Sequence, residues 1–162
     1  MAMEQEGLTK KEAESRIWLM DSRGLCVQNR PEGGIDKHKQ HYAKPVAPCR
    51  NLLDIIDIVK PTALIGVAAQ PGAFNESVLR KMAQISQRPL IFPLSNPTSK
   101  AECTAAEAYK HTEGRCIFAS GSPFDNVTLN GKIFHPGQGN NAYIFPGVSL
   151  AVMACGVSSI HV

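Results

Sequence analysis

Short apolar runs alternate with stretches of helical periodicity over most of the chain. Each run is bounded by turn residues, which predicts a buried strand. The strands are predicted at 17–20, 63–67, 89–94 and 116–119. Helical spacing of apolar positions predicts helices over 51–60, 75–85 and 104–110. This alternation predicts an α/β fold in which right-handed crossovers join parallel strands.

Local signals predict where several elements begin. Capping boxes, in which threonine precedes glutamate by three residues, are predicted at 9–12 and 104–107. Asn75 is a further amino-terminal cap. An Asn-Gly pair within 127–134 predicts a hairpin with a type I′ turn. Residues 28–48 are polar and contain several prolines and glycines, so we predict a long surface loop with room for one helical turn.

The stretch 137–149 combines glycines, two carboxamides and an apolar continuation. Gly137 and Gly139 permit tight turns, and Asn140 and Asn141 offer donors and acceptors without charge. One interpretation is a loop that points both amides at a ligand and then enters a packed helix over 143–157. The alternative is a polar turn before a core helix, in which Asn140 serves only as the cap.

Composition limits the classes of protein that this sequence can represent. The chain has 162 residues, 43% of them hydrophobic and 19% charged, which suits one globular domain with a real core. The net charge of +3 comes from scattered lysines and arginines, so no nucleic-acid partner is expected. No apolar run has the length of a membrane span, so no membrane partner is expected either. The first seven residues also lack the pattern of a signal peptide.

The cysteines favour a reducing compartment. There are five of them, widely spaced and without a CxxC pair, and the histidines show no metal-ligand spacing with them. An odd number of scattered cysteines is typical of free thiols in an intracellular protein. We therefore expect an intracellular location and no zinc site in this chain.

Polar or small residues follow all four predicted strands. They are Asp21-Ser22, Gly66-Val67-Ala68, Ser95-Asn96 and Ser120-Gly121. The carboxyl ends of parallel strands are where open α/β sheets bind ligands, and an acidic residue there can bind a ribose hydroxyl. The coincidence predicts a dinucleotide-type site, although Asp21 taken by itself fits an ordinary turn aspartate better.

Six stretches of the chain resemble the malic enzymes, one of them Thr-Glu-Gly-Arg at 112–115. The most specific is Leu-Ser-Asn-Pro-Thr-Ser-Lys-Ala-Glu-Cys-Thr at 94–104, and it continues into Phe-Ala-Ser-Gly-Ser-Pro-Phe at 118–124. The others lie at 18–25, 60–68 and 137–147, so that nearly the whole chain except the loop 29–48 is covered. The resemblance implies part of the NAD(P)-binding domain of an enzyme that oxidatively decarboxylates malate to pyruvate and carbon dioxide.

The resemblance also implies roles for particular residues. Asp21 would hold the adenosine ribose, Asn96 would face both nicotinamide and substrate, and Asn140 or Asn141 would bind malate. No catalytic residue and no metal ligand is expected in this chain. The expected cofactor-binding residues are Asp21, Ser22, Arg23, Lys39, Gly66, Val67, Ala68, Ser95 and Asn96.

The choice between NADP and NAD depends on what surrounds the ribose 2′ position. An acidic residue favours the hydroxyl of NAD, whereas a nearby cation accommodates the phosphate of NADP. Ser22 resembles the residue of NADP-preferring members, and Lys39 falls near their phosphate-binding lysine, with Lys37 as the alternative. We therefore expect NADP, with NAD as the second possibility. The opposing interpretation is that these cations form only a solvated face.

Several parts of the family pattern are not found among these residues. No GxGxxG motif occurs in the 162 residues. The resemblance implies that the catalytic lysine, the catalytic tyrosine and the ligands of a divalent Mg or Mn ion also lie outside this sequence. We therefore expect residues 1–162 to be a partial NAD(P)-binding domain, inactive by itself.

The expected fold is a Rossmann-like, doubly wound, mostly parallel sheet without its first strand and glycine-rich turn. Strands 17–20 and 63–67 would then lack their shared neighbour, so the sheet must close up, recruit a partner or lose order. The family implies a homo-oligomer and a cytoplasmic or mitochondrial location. The alternative function is a non-catalytic truncated binding or interaction module that uses exposed strand edges.

Overall fold

A computed structural model describes residues 2–31 and 33–157. The chain divides into two compact units, Met1–Pro61 and Thr62–Val162, which we call the amino-terminal unit and the carboxy-terminal unit. Each unit is described by itself. Whether residues 1–162 act as one partial domain, as the sequence predicts, remains a prediction.

The amino-terminal unit begins with two short helices and a small hairpin. These are α1 (Ala2–Gln5), α2 (Lys10–Ser15), β1 (Met20–Asp21) and β2 (Gly24–Leu25). The predicted capping box at 9–12 is present, since the Thr9 side chain and the Glu12 side chain each bind the other's backbone amide. The Asp21-Ser22-Arg23-Gly24 turn is also confirmed, because β1 and β2 pair in antiparallel fashion on either side of it.

The prediction of a buried strand over 17–20 is wrong. Only Met20 belongs to a strand, and it is exposed, while residues 17–19 are half-buried. A strand needs a hydrogen-bonding neighbour along its length. In the described residues, β1 pairs only with β2, and Leu19 accepts a single hydrogen bond from the Cys26 amide. The apolar composition alone therefore could not make this segment part of a sheet.

The rest of the amino-terminal unit agrees with the sequence. The long loop contains one helical turn, α3 (Lys37–Gln40), which Asp36 caps. Asn51 caps α4 (Leu52–Val59), and Lys60 ends it in the left-handed conformation. The apolar face of α4 contributes Ile55 to a small core with Leu25 and Val27, against which Trp18, Cys49 and Val59 pack.

The carboxy-terminal unit contains the parallel sheet. Its first half comprises β3 (Ala63–Gly66), α5 (Glu76–Ile85), β4 (Leu90–Pro93), a 3₁₀ turn (Thr98–Lys100) and α6 (Ala105–His111). Its second half comprises β5 (Ile117–Ser120), β6 (Val127–Leu129), β7 (Lys132–Phe134), β8 (Gly137–Gln138), a 3₁₀ helix (Asn141–Ile144) and α7 (Phe145–Cys155). No helix in the described part of the chain is long and apolar enough to cross a membrane.

The sheet confirms the predicted α/β architecture. Four strands pair in the order β3-β4-β5-β8, and each pair is parallel. The α5 and α6 helices occupy the crossovers, with caps at Asn75 and Thr104 as predicted. The hairpin of β6 and β7 has positive φ at both Asn130 and Gly131, as a type I′ turn requires. The short strand β8 was not predicted, because two residues are too few to give a periodic signal.

Two segments predicted to be buried are exposed. On β3, the edge strand of the sheet, Ile65 is 58% exposed and Val67, just beyond it, is 75% exposed. On α7, predicted as a packed helix, no residue is buried, and Leu150 and Met153 are 64% and 74% exposed. Apolar sequence favours burial only where a partner element covers it. None of the described residues covers these faces.

Candidate functional site

Asp21 is the centre of a charged cluster in the amino-terminal unit. Arg30 binds its carboxylate with both terminal nitrogens: Nη1 donates to Oδ2 at 3.1 Å and Nη2 donates to Oδ1. Lys39 Nζ donates to Oδ2 at 3.1 Å, and the backbone amide of Arg23 donates to Oδ1 at 3.0 Å. Four donors from three residues therefore hold this one carboxylate.

The cluster changes the protonation of its members. The Arg30 guanidinium, followed by the Arg23 amide and Lys39, holds the pKa of Asp21 well below its usual range. In return, Asp21 raises the pKa of Lys39 and of Arg30. All three groups are therefore charged at neutral pH. Asp36 Oδ2 also lies 3.6 Å from Lys39 Nζ, so two carboxylates balance Arg30 and Lys39. Arg23 on the adjoining turn leaves the surroundings positively charged, which favours an anionic ligand.

Arg30 is a functional candidate that sequence reasoning missed. Its side chain is only 4% exposed, and it also donates to the carbonyl of Gly24 at 2.9 Å. Its Nε atom is buried, and no residue that the structure describes forms a hydrogen bond with it. Nothing in its local sequence, a polar loop before Pro31, signals this role. The contact joins two residues nine positions apart within an irregular segment.

The other predicted residues of this unit lie close to Asp21 in the chain. Ser22 and Arg23 are exposed on the hairpin turn, where Arg23 Nη1 donates to the carbonyl of Gly33 at 2.5 Å. Three arginines, Arg23, Arg30 and Arg50, line an open pocket of about 220 Å³. Guanidinium groups are well suited to bind phosphate. The pocket can therefore accommodate an anionic group.

A second cluster lies at the carboxyl edge of the sheet in the carboxy-terminal unit. Gly66 ends β3, Ser95 and Asn96 follow β4, and Gly121 follows β5. The buried carboxylate of Glu102, also missed by sequence reasoning, accepts a hydrogen bond from Ser95 Oγ at 2.5 Å. The position of Glu102 between the buried residues Ala101 and Cys103 is the one local sign that its side chain could be buried.

Asn96 and Asn140 converge on the segment that follows β5. Asn96 Oδ1 accepts a hydrogen bond from Ser122 Oγ at 2.5 Å, and Asn140 Nδ2 donates to the carbonyl of Gly121 at 3.1 Å. Asn96 Nδ2 has only a long contact, 3.5 Å, with the carbonyl of Leu94. It therefore keeps a donor free for a ligand. Asn96 is also exposed, whereas Asn140 is half-buried.

Asn140 is also the cap that the sequence predicted as an alternative. Its Oδ1 accepts the backbone amide of Ala142 at 2.8 Å at the start of the 3₁₀ helix. The side chain of Asn141 lies outside the described residues, so its predicted contact with malate remains a prediction. Beside them, Gln138 donates to the carbonyl of Gly121 at 3.4 Å and accepts from Tyr143 Oη at 2.9 Å.

The remaining predicted positions follow β3. Val67 and Ala68 are exposed, and the Ala68 amide donates to Glu102 Oε1 at 3.2 Å. Gly66 is buried, and a Cβ atom there would lie 2.5 Å from Glu102 Cδ. The Glu102 side chain therefore accounts for a glycine at this position, and the contact of Gly66 with the cofactor, which the resemblance implied, remains a prediction.

The described residues offer little for metal binding or for nucleophilic catalysis. No group of three or more histidine, cysteine, aspartate or glutamate side chains among them could hold a metal ion. Burial raises the pKa of the Cys103 and Cys116 thiols, which disfavours the reactive thiolate. The arrangement offers hydrogen bonds, small residues and positive charge, which are means of binding a ligand.

A parallel sheet with crossover helices and with glycine, serine and amide groups at its carboxyl edge defines an α/β domain of the Rossmann-like class. Residues 1–162 match the family described as "Malic enzyme, NAD binding domain", and the chain belongs to this family. The resemblance found in the sequence is thus confirmed.

Several curated relatives are similar to this chain. It is 57% identical over 161 residues to the NADP-dependent malic enzyme of Anas platyrhynchos, and the match covers 99% of this chain and 28% of that protein. It is 56% identical to the NADP-dependent malic enzyme of Homo sapiens, with the same coverage. Its identity to the human "NADP-dependent malic enzyme, mitochondrial" is 55%, covering 26% of that protein. The chain thus spans little more than a quarter of these relatives.

Proposed function

We propose that this chain is the cofactor-binding portion of an NADP-dependent malic enzyme, which oxidatively decarboxylates malate to pyruvate and carbon dioxide. The observation that carries the proposal is the carboxyl edge of the sheet, where Gly66, Ser95-Asn96 and Gly121 follow successive strands. This edge is the position at which open α/β sheets bind dinucleotides. Family membership and the names of the relatives support the same function.

NADP is the proposed cofactor because of the charge around Asp21. Its carboxylate is already bound by Arg30 and Lys39 and therefore offers little to a ribose hydroxyl. The surrounding cations instead favour the additional phosphate of NADP. Ser22, Arg23 and Lys39 are the proposed phosphate-side residues. In the carboxy-terminal unit, Val67, Ala68, Ser95 and Asn96 are the proposed contacts along the cofactor.

Malate is the proposed substrate, held by neutral amides. Asn96 presents a free Nδ2 donor, and Asn140 is held beside it through Gly121. Because Asn140 is already committed as a cap, we propose Asn141 as the residue that binds malate. A carboxamide can bond a carboxylate or hydroxyl without changing the net charge of the site.

The remaining machinery is assigned to other parts of a longer protein. We propose that the ligands of the divalent Mg or Mn ion, the catalytic lysine and the catalytic tyrosine lie outside this chain. A bound divalent ion would supply Lewis-acid polarisation of the substrate. A homo-oligomeric state and an intracellular location, cytoplasmic or mitochondrial, also belong to this proposal.

Cofactor binding can be tested directly on residues 1–162. Fluorescence titration with NADPH should show saturable binding, and NADP should compete better than NAD. A folded chain that binds neither dinucleotide would show that binding needs residues outside 1–162, and a complete enzyme carrying this segment that binds no NADP would exclude the cofactor-binding role. The exposed β3 edge and α7 favour the alternative, an interaction module. In that case the chain would bind a partner protein but no dinucleotide.

A further inference from the structure

Glu102 is the most completely buried acidic side chain among the described residues, at 1% exposure. Its Oε1 atom accepts two hydrogen bonds, one from Ser95 Oγ at 2.5 Å and one from the Ala68 amide at 3.2 Å. Its Oε2 atom is buried and has no hydrogen-bond partner within the described ranges 2–31 and 33–157. Burying an acceptor without a partner is unfavourable, so stability alone does not explain a glutamate here.

Glu102 forms hydrogen bonds, directly and through Ser95, with the backbone of the turn that follows β3. Ser95 Oγ donates to Glu102 and accepts the amide of Ala69 at 2.9 Å. The backbone carbonyl of Glu102 accepts the amide of Phe74 at 3.0 Å. Three amides of the segment 68–74 are therefore held, directly or through Ser95, by one residue that lies about thirty positions further along the chain.

The same carboxylate lies between two strand ends. On one side it occupies the space that a side chain at Gly66 would need, since a Cβ there would lie 2.5 Å from Cδ. On the other side it holds Ser95, the residue immediately before Asn96. Displacement of the Glu102 side chain would therefore move both the end of β3 and the start of the Asn96 turn.

We infer that Glu102 is a positioning residue, which fixes the Ala68–Ala69 backbone and Ser95 in the arrangement that the dinucleotide requires. This inference rests on the proposed function and gives it a specific physical basis. A carboxylate is suited to the role because it accepts several hydrogen bonds and bonds more strongly than a neutral amide. Glutamine keeps the size of the side chain and one oxygen acceptor, but this neutral oxygen bonds less strongly than a carboxylate. Its NH2 group would also place donors at the position of Oε2, which finds no partner among the described residues.

Amide hydrogen exchange on residues 1–162 tests the positioning without any cofactor. In Glu102→Gln, exchange at the Ala68 and Ala69 amides should become about tenfold faster, while amides of α5 and β4 stay unchanged. In Ser95→Ala, the Ala69 amide should respond more strongly than that of Ala68, because Ser95 Oγ binds only the former. Leucine has a similar size and no acceptor, so unchanged exchange at both amides in Glu102→Gln and also in Glu102→Leu would overturn the inference.

A matched control separates positioning from general stability. Thr112 is also fully buried; its hydroxyl donates to the carbonyl of Ala108 at 2.6 Å and accepts the amide of Cys116 at 3.3 Å. Thr112→Val should lower the melting temperature without faster exchange confined to Ala68 and Ala69. If Glu102→Gln speeds exchange equally across the carboxy-terminal unit, its role is structural and the inference is wrong.

The second experiment uses a complete malic enzyme that carries this segment. Glu102→Gln should raise the KM for NADP about tenfold, as is typical when the partner that orients a binding group is lost, and should change kcat much less. Thr112→Val should leave both constants unchanged. An unaltered KM in Glu102→Gln would exclude the positioning role, while the wild-type enzyme's use of NADP would still support the proposed function. If the wild-type enzyme does not use NADP, the proposed function is wrong. The hydrogen-exchange rates would then still test whether Glu102 positions the Ala68 and Ala69 amides.

Discussion

Both terminal nitrogens of the Arg30 guanidinium group donate hydrogen bonds to the carboxylate of Asp21. This pair is more than a surface ion pair, since the Arg30 side chain is almost fully buried and also bonds the carbonyl of Gly24. It joins the turn of the small hairpin to the long loop that follows. Arg30 therefore fixes the position of the Asp21 carboxylate. It also neutralises part of the negative charge that Asp21 would present to a ligand.

The first prediction concerns the pH dependence of this pair. Arg30 lowers the pKa of Asp21 in the folded chain, so the pair stabilises the fold above the unfolded-state value of about 4. That contribution is lost as the pH falls towards the folded-state pKa. Arg30→Ala should lower the free energy of unfolding by about 1.5–3 kcal/mol at pH 7, the range for hydrogen bonds to charged groups, and by less at pH 3.

Urea unfolding at both pH values measures this difference. Arg80→Ala is a suitable control, because Arg80 forms an exposed pair with Glu76 on α5. That substitution should cost less than about 1 kcal/mol. An equal loss of stability at pH 3 and pH 7 in Arg30→Ala would show that Asp21 is not the group through which Arg30 acts.

The second prediction concerns Lys39 and cofactor choice. In a complete enzyme that carries this segment, Lys39→Ala should raise the KM for NADP and leave that for NAD unchanged, because only NADP has the 2′-phosphate. Lys37→Ala is the matched control, since Lys37 lies exposed on the same helical turn. Equal effects of Lys39→Ala on both cofactors would contradict the assignment, and an effect of Lys37→Ala alone would transfer it to that residue.

The third prediction separates the two adjacent asparagines. Asn140 caps a 3₁₀ helix and binds Gly121, so Asn140→Ala should cost about 1 kcal/mol of stability. Asn141→Ala in the complete enzyme should instead weaken malate binding and change the melting temperature little. Steady-state kinetics and thermal unfolding of both variants check this. A large drop in melting temperature with unchanged malate affinity would make Asn141 structural.

The fourth prediction tests the close approach of Gly66 and Glu102. Gly66→Ala should destabilise the carboxy-terminal unit by about 1–3 kcal/mol, because the new methyl group meets the Glu102 side chain. Gly147→Ala, where a Cβ would meet nothing within 4 Å, should cost far less. Adding Glu102→Ala to Gly66→Ala should give a smaller total loss than the sum of the two. Strict additivity in denaturant unfolding would contradict the contact.

The fifth prediction is that residues 1–162 alone do not turn over malate. The chain spans 28% of the relatives that it resembles, and we assign the metal ligands and the general base to the rest. With malate, manganese and NADP, formation of reduced cofactor should not exceed a blank. A rate above that blank, abolished by a chelator, would show that this chain contains the catalytic machinery.

The sequence predicted best what depends on neighbouring residues. The capping boxes and the Asn130-Gly131 turn are correct because the hydrogen bond or the backbone angle involved lies within three residues. The order of strands and helices in the carboxy-terminal unit follows from similarly local patterns. The family could also be identified from the sequence, because the stretches that resemble it are long and continuous.

Apart from the short strand β8, the failures concern contacts between residues that are separated in the chain. The apolar run 17–20 was read as a strand, although a strand also requires a partner that hydrophobicity cannot supply. The burial predicted for α7 failed for the same reason. Arg30 and Glu102 were missed because their partners, Asp21 and Ala68, lie 9 and 34 positions away. A charged residue reveals its role only when the fold brings such a partner to it.

The uncovered edge of the parallel sheet has a practical consequence for preparing this chain. β3 is an edge strand in which the Ile65 side chain is exposed, and Val67 just beyond it is exposed as well. The strand itself contains neither lysine nor proline, residues that usually protect a strand edge. Such an edge is a template for pairing with other molecules. Samples of residues 1–162 should therefore lose colloidal stability as their concentration rises, and Ile65→Lys, which places a charge on that edge, should improve their solubility.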